Sequence, residues 1–554
     1  MKSVVPLLLP IALLSGLSAA EPTTAKHGMV VCVSAPAADV GLDILKRGGN
    51  AVDAAVAVAF AEAVTYPIAG NIGGGGFMLI HPAPGKGGPV VIDYRETAPA
   101  AATVDMFAKG RDAYSLKAVA VPGTVLGLAD AAKGFGSQKL SWRELIEPSI
   151  KLAADGFEVE QWTSNSLNEE LAKFKQHAEF QRAFAKSTGG PWKAGDRLVQ
   201  PDLAKTLRLI ADQGPNSFYL GPISELIVAE MNRGGGLIKG QDLADYRTKE
   251  RRPFVGTYRG HGIVSVPLPS AGGPVLVEML NMLECFDPNK LDSATYSHVM
   301  AEVMRRAYVH RYIALGDGFD ISSFHSKFRN KQYAREQSAR IDLTKATPST
   351  SLAADTPLKL NTGNTTHFSI VDSSGMAVSN TYTLEDRYGS HIVVPGAGFL
   401  LNNEMNDFNP VPGVTKADGQ IGTAPNLIAP GKRMLSSMTP TIVKKDGKIM
   451  LVTGSPGGRT ITNTVLNIIV NTIDHGMDIQ AAVDAPRMHH AAFPDEIKME
   501  KVAERKELVA ALQKMGHKVV EHVQGDAHSI AIDPKTGELR AGVDHRIMGK
   551  AAGY

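Results

Sequence analysis

Cys32 and Cys285 are the only two cysteines in this 554-residue chain. That scarcity excludes a disulfide framework and a cysteine-rich metal knuckle. Cys32 lies in the strand-like MVVCVSAP and Cys285 follows the helical VLVEMLNMLE, a placement that predicts two separate buried thiols. Beyond the first residues no run of about 18 consecutive apolar residues occurs, so no membrane span is expected in the body of the chain. Charge of one sign is also missing: 58 Lys and Arg face 56 Asp and Glu, net +2. The balance gives no electrostatic reason to expect a nucleic acid or an anionic surface as partner. Internal repeats and low-complexity tracts are lacking too. What remains is 44% hydrophobic content, ample for a globular core.

The N-terminus, MKSVVPLLLPIALLSGLSAAEP, has one lysine, a short apolar run and a Ser18-Ala19-Ala20 cleavage site, the pattern of a secretory signal over residues 1–20. Export to the periplasm or the medium is the expectation. Met29 to Ser34 then reads as a strand, Pro36 to Arg47 as a helix closed by Gly48-Gly49, and Ala51 to Thr65 as a buried Ala/Val-rich helix. Gly73 to Gly76 precede a strand, Phe77 to His81, and lack the Lys-Ser/Thr and helix of a phosphate loop, so close backbone packing is expected there. Val90 to Tyr94 is a strand ending at Arg95. Leu116 to Asn232 is mostly helical, with Phe174 to Phe184 read as a solvated amphipathic face. Leu343 to Gly363 reads as an exposed tether, and Phe408 to Lys432 as a loop. Met434 to Lys444, Ile449 to Gly454 and His528 to Ile532 read as strands, and Thr460 to Ile473 as a helix. His489-His490 lacks a ligand partner at metal spacing and reads as structural.

One stretch carries chemistry. From Asn361 a small-residue loop leads to Thr365, after which Thr366, Phe368 and Ile370 alternate with His367, Ser369 and Val371 as in a half-buried strand. Ser373-Ser374-Gly375 makes a hairpin turn, and Met376 to Leu384 returns alongside, bringing Thr383 back near Thr365. A threonine hydroxyl needs an adjacent base to become a nucleophile, and an α-amine, titrating near about 8, suits that role. Thr365 gains such an amine only if the Asn364-Thr365 bond is cut. On local composition alone a Thr-rich strand after a polar loop is the better explanation of the segment.

TTHFSIVD, NTYTLEDRYG, LLNNEMNDF, LSSMTPTIV and TGSPGGRTI, with VDAAVAVAF, GNIGGGGFM, DYRETAP, LPSAGGP and the C-terminal GVDHRIMGKAAGY, resemble in order and spacing the signatures of the γ-glutamyltranspeptidase family. The resemblance spans nearly all of the chain after Glu21. It implies an α+β fold, the four-layer αββα sandwich of N-terminal-nucleophile hydrolases, as one globule of two autoprocessed chains. It implies cleavage between Asn364 and Thr365 into a large subunit, residues 21–364, and a small subunit, residues 365–554. By the same resemblance Thr365 is the nucleophile and Thr383 its supporting hydroxyl. Gly457 and Gly458 donate to the oxyanion, Arg95 with Ser436 and Ser437 holds the substrate α-carboxylate, and Glu404 and Asp407 hold its ammonium. Glu385 stands where the family usually has Asn, and Asp418 where better-known relatives often carry a lid tyrosine. His310 replaces an Asp before Arg311, and that pair receives no role.

The expected reaction is γ-glutamyl transfer from glutathione or another γ-glutamyl compound to water, an amino acid or a peptide, with no cofactor and no metal. The expected partners are those small molecules and the two subunits of one precursor, with no nucleic acid and no stable membrane insertion once the signal is removed. Two alternatives stand beside it: a glutaryl or cephalosporin acylase on the same fold, and an exported noncatalytic binding protein.

Overall fold

The computed structural model describes residues 23–318, 327–352, 364–413 and 423–554. The signal segment, most of the tether and Asp418 lie outside the described residues. Two seven-stranded sheets form the centre. One runs, strand by strand, Lys550–Gly553, Met29–Cys32, Asn364–Val371, Ala377–Glu385, Gly75–His81, Val90–Asp93 and Lys249–Arg251. The other runs Thr24–Ala25, Leu539–Gly542, Ser529–Ile532, Lys448–Thr453, Thr441–Lys445, His261–Ser265 and Phe254–Tyr258.

Alternation explains the layering, since successive strand residues point to opposite faces. Val31, Phe77, Leu79 and Val91 meet Val264, Ile442, Val452 and Ile530 between the sheets. Val30, Met78, Ile80, Phe368 and Ile370 point the other way, into a core shared with the helices Ala35–Lys46 and Ala51–Thr65. On the far side, Ile263, Val443 and Leu451 pack under the helices Gly272–Leu283, Ser293–Ala314 and Ile461–Ile473. The order is helix, sheet, sheet, helix: the αββα sandwich of the N-terminal-nucleophile hydrolases. Strands come from both ends of the chain in each sheet, so their expected concentration in the last third is too narrow a description.

The helix Ala51–Thr65 is buried along its whole length, as its composition requires. Asn50 opens it with a reciprocal capping box to Asp53, which satisfies donors that would otherwise be orphaned. The four-glycine run packs backbone against backbone: a Cβ on Gly74 would lie 2.0 Å from the Thr383 carbonyl oxygen.

Several readings need correction. Cys32 is buried, but Cys285 is exposed, because it falls just past the end of its helix. Residues 434–440 form only an isolated bridge, Ser436 with Ser270, and the strand begins at Thr441. The helix expected over Phe174–Phe184 starts only at Ala178, and Phe174, Phe180 and Phe184 are buried, with Phe174 stacked on the His391 ring at 3.5 Å and Phe184 against Tyr388. The described part of the tether is docked, not loose: Ala346 N–H donates to the Met515 carbonyl, Thr347 N–H to Glu302, and Ser349 N–H to Asp495. Finally, the Thr365 strand is buried on both faces, because its polar face lies against the second sheet. Ser369 Oγ donates to the His528 carbonyl, 2.8 Å, and Ser379 Oγ to that of Thr453, 2.9 Å.

Candidate active site

The hairpin brings the two threonines together as expected. Thr365 is the register partner of Thr383, and an irregularity in the pairing falls between Asn364 and Thr365. Bulges of this kind re-aim side chains at sheet edges. Thr365 Oγ1 donates to Thr383 Oγ1 at 3.4 Å, and Thr383 Oγ1 also accepts the Glu385 N–H at 2.9 Å. Both hydroxyls line a cavity of about 510 Å³ that Arg95, Glu385, Asp407, Ser436, Ser437 and Gly458 line as well. That volume falls in the range of small-molecule sites.

At one end of the cavity a guanidinium is surrounded by carboxylates. Arg95 Nη1 lies 2.8 Å from Glu404 and 3.4 Å from Glu96, and its Nη2 pairs with Asp407. Arg95 and Glu404 are sealed from solvent, whereas Asp407 is 30% exposed on the cavity wall. Burial alone would pull the Arg95 pKa down, but Glu404, Glu96 and Asp407 more than offset it and raise it. Glu96 is pushed up to about 7, by burial first, against the pull of Arg95. Glu385 and Glu404 are driven well above the usual carboxylate range, again by burial first, with neighbouring carboxylates adding to it. A protonated Glu385 would offer one O–H donor and one C=O acceptor, much the inventory of the amide usual in the family.

Ser436 and Ser437 also line the cavity: Ser437 Oγ accepts from Arg311 Nη2 at 2.8 Å, and Ser436 Oγ accepts the Met438 N–H at 3.0 Å. Gly457 and Gly458 lead through a short 3-10 turn into the helix Ile461–Ile473. The first N–H groups of such a turn have no partner inside it, and they attract negative charge. Gly457 has φ 128°, and a Cβ there would meet Thr460 Oγ1 at 2.4 Å, so only glycine fits.

Glu404 is fully buried and reaches the site through Arg95, while Gly457 is only part-buried and directly precedes the lining Gly458. The Asn364 backbone belongs to the nucleophile strand. Among the described residues two groups place acidic or imidazole ligand atoms within 4.8 Å of one another: Glu385, Glu404 and Asp407, and His298, Glu302 and His517. Each already contains an ion-paired guanidinium, Arg95 in the first and Arg305 and Arg306 in the second. His489 and His490 are tied to Asn463 and to Arg305 with Asp495.

Sequence reasoning missed Arg111, Arg311 and Arg459, all of which line the cavity. Arg111 Nη1 donates to the Asn406 carbonyl at 2.6 Å. Arg459 had a usable signal, since it directly follows the glycine pair. Arg311 was noted beside His310 but given no role, because only tertiary packing brings its helix to Ser437.

Comparison with known proteins adds four findings. The family described as Gamma-glutamyltranspeptidase matches residues 37–554. The chain is 44% identical over 545 residues to a protein of Escherichia coli (strain K12) named Glutathione hydrolase proenzyme, covering 96% of this chain and 93% of that one. Among solved structures, a cephalosporin acylase from Bacillus halodurans superposes with TM-score 0.85 at 27% identity, covering 99% of both chains. The Helicobacter pylori gamma-glutamyltranspeptidase gives 0.54 at 40% identity, covering 57% of this chain and 93% of that one. A family match over nearly the whole length, on a fold whose cavity holds the threonine pair, leads to one statement. This chain is an enzyme of the gamma-glutamyltranspeptidase family.

Proposed function

We propose that the precursor cuts itself between Asn364 and Thr365, giving subunits of residues 21–364 and 365–554, and then acts as a glutathione hydrolase and γ-glutamyl transferase. Thr365 Oγ attacks the preceding carbonyl, the acyl group shifts from nitrogen to oxygen, and water releases the ester. The freed α-amine then accepts the Thr365 hydroxyl proton as Oγ attacks a γ-glutamyl amide. Thr383 orients the nucleophile. Gly457 and Gly458 N–H groups receive the oxyanion, a role worth about 3 kcal/mol per donor. Water, an amino acid or a peptide resolves the ester. Residues 1–20 direct export. Among the described residues no helix is long and apolar enough to cross a membrane.

The observation that carries the substrate reading is the Arg95–Asp407 ion pair on the cavity wall. A γ-glutamyl group ends in one carboxylate and one ammonium. Inserted into that pair, its carboxylate takes Arg95 and its ammonium takes Asp407, so every charge keeps an opposite neighbour. Ser436 and Ser437 complete the carboxylate's hydrogen bonds, while Glu404 holds Arg95 from behind and Glu385 flanks the ammonium. The likeness to the cephalosporin acylase favours a second reading, a glutaryl-type amidase. A glutaryl group lacks the ammonium and would leave Asp407 unpartnered, which weighs against it.

N-terminal sequencing of the smaller fragment, with turnover of γ-glutamyl and glutaryl anilides, tests both. A fragment beginning Thr-Thr-His-Phe and preference for the γ-glutamyl anilide are expected. Thr365→Ala should remain a single band near 58.9 kDa on a denaturing gel and be inactive. Normal maturation of that variant would remove Thr365 as nucleophile, and preference for the glutaryl anilide would favour the acylase.

A further inference from the structure

Asp407 takes the substrate ammonium in the reading above, and the group that fixes its backbone comes from a distant part of the chain. It closes a 3-10 turn, Glu404–Asp407, and the last carbonyls of such a turn have no partner inside it. Here all three carbonyls around Asp407 are taken. Arg111 Nη1 donates to the Asn406 carbonyl at 2.6 Å and to the Phe408 carbonyl at 3.4 Å, while Asn426 Nδ2 donates to the carbonyl of Asp407 itself at 2.7 Å. One guanidinium grips the peptides on both sides of Asp407.

The loop that carries Arg111 is fitted to the same turn. Phe107 shares an apolar cluster with Met405 and Phe408, and the Ala113 carbonyl accepts from Asn403 Nδ2 at 3.1 Å and from Asn406 Nδ2 at 3.2 Å. Phe107, Arg111, Ala113 and Asp407 all line the cavity. Among the described residues Arg111 has no carboxylate within ion-pair distance, so its donors are turned on the backbone. Burial lowers its pKa, and the charges of Asp407, Glu385 and Asp386 oppose that. A neutral amide, that of Asn426, serves the carbonyl between the two that Arg111 holds, so hydrogen bonding alone does not require a cation here. The peptide planes on either side of a residue set the direction of its side chain, and the Asp407 carboxylate is directed at Arg95.

We propose that Arg111 is a positioning residue that aims the Asp407 carboxylate at the substrate ammonium, and so sets the preference of the site for donors with an α-amino group. This rests on the γ-glutamyl reading above. It assigns selectivity at that end to a residue of the 21–364 segment that acts through one of the 365–554 segment, without touching substrate itself. Arginine fits because its planar fork holds its donors in fixed directions and its charge strengthens each hydrogen bond.

L-glutamate and glutarate are the probes: both bring two carboxylates, and only the first brings an ammonium. Each is measured as an inhibitor of γ-glutamyl-4-nitroanilide turnover, because an inhibition constant does not depend on how much of a preparation has matured. The proteins are the processed parent, Arg111→Gln, Arg111→Lys, Asp407→Asn and the double variant Arg111→Gln with Asp407→Asn. Arg111→Gln should weaken L-glutamate about fivefold, the scale of one hydrogen bond, and leave glutarate within about twofold. Arg111→Lys should recover part of the loss, and it carries the same comparison where the Gln variant is inactive. Added to Asp407→Asn, Arg111→Gln should change the ratio of the two constants by less than about twofold, since the carboxylate it aims is gone. Equal weakening of both probes, an unchanged ratio, or inactivity of both Arg111 variants would give Arg111 a role in the fold or at the α-carboxylate and overturn the proposal. The same fivefold loss in the Asp407→Asn background would overturn it too, because Arg111 would then act independently of Asp407. A parent that binds glutarate more tightly than L-glutamate would instead refute the γ-glutamyl reading.

Discussion

Asp407→Asn separates the two substrate readings most sharply. In the resting site the Asp407 carboxylate pairs with Arg95 on the cavity wall, while Glu404 and Glu96 hold the same guanidinium from behind. Replacing Asp407 therefore leaves Arg95 compensated, and the cluster should survive. A γ-glutamyl donor loses the partner of its ammonium, a charge-assisted contact worth about 1.5–3 kcal/mol. Asp407 is 30% exposed, so the lower half of that range applies, and kcat/KM should fall about 12- to 40-fold. A glutaryl donor loses nothing, since its carboxylate needs only Arg95, and removal of an unpartnered carboxylate should leave its kcat/KM equal or higher. The selectivity for γ-glutamyl over glutaryl anilide, measured by steady-state kinetics on processed enzyme, should fall by about tenfold or more. A ratio within about twofold of the parent's would refute the insertion of a zwitterion into the Arg95–Asp407 pair.

Thr383→Val keeps the side-chain shape but leaves the Glu385 N–H without its acceptor and Thr365 without its hydroxyl partner. Self-cleavage should slow and turnover fall about tenfold, with Thr383→Ser restoring most of both; full activity in the valine variant would refute a positioning role. Arg95→Lys replaces a fork that joins Glu404 through one nitrogen and Asp407 through the other at 1% exposure. One ammonium cannot serve both, so a melting temperature below the parent's should accompany a raised donor KM, with about 3 kcal/mol at stake. A variant equal to the parent in both would be inconsistent with the cluster. Glu62 is pushed up to about 8, by burial first, with the hydroxyls of Thr366 and Tyr382 pulling the other way. Because the folded state keeps this proton after the unfolded chain has released it, the contribution is complete below about pH 4.3 and is lost as the pH rises through about 8, at about 1.4 kcal/mol per pH unit. Glu62→Gln should flatten the melting temperature against pH across that window, and an unchanged slope would refute the assignment.

The sequence determined the local structure wherever one physical cause dominates. Period-two alternation and a Ser-Ser-Gly turn define the Thr365–Thr383 hairpin, all-round apolarity buries Ala51 to Thr65, and the crowded glycines sit where no Cβ fits. The candidate residues Thr365, Thr383, Arg95, Glu385, Asp407, Ser436, Ser437 and Gly458 were legible because they lie in short stretches that resemble a known family, and they converge on one cavity. Tertiary structure decided what depends on neighbours distant in the chain. The pattern that reads as a half-buried strand is buried twice over, because a second sheet covers its polar face. The Arg95 fork meets three carboxylates, two of them over three hundred residues away, and burial among them shifts the acids. Arg311 and Arg459 come to share Tyr312 only when the outer helix packs beside the glycine turn. Charge and burial are properties of a place in space, and a linear order of residues does not carry them.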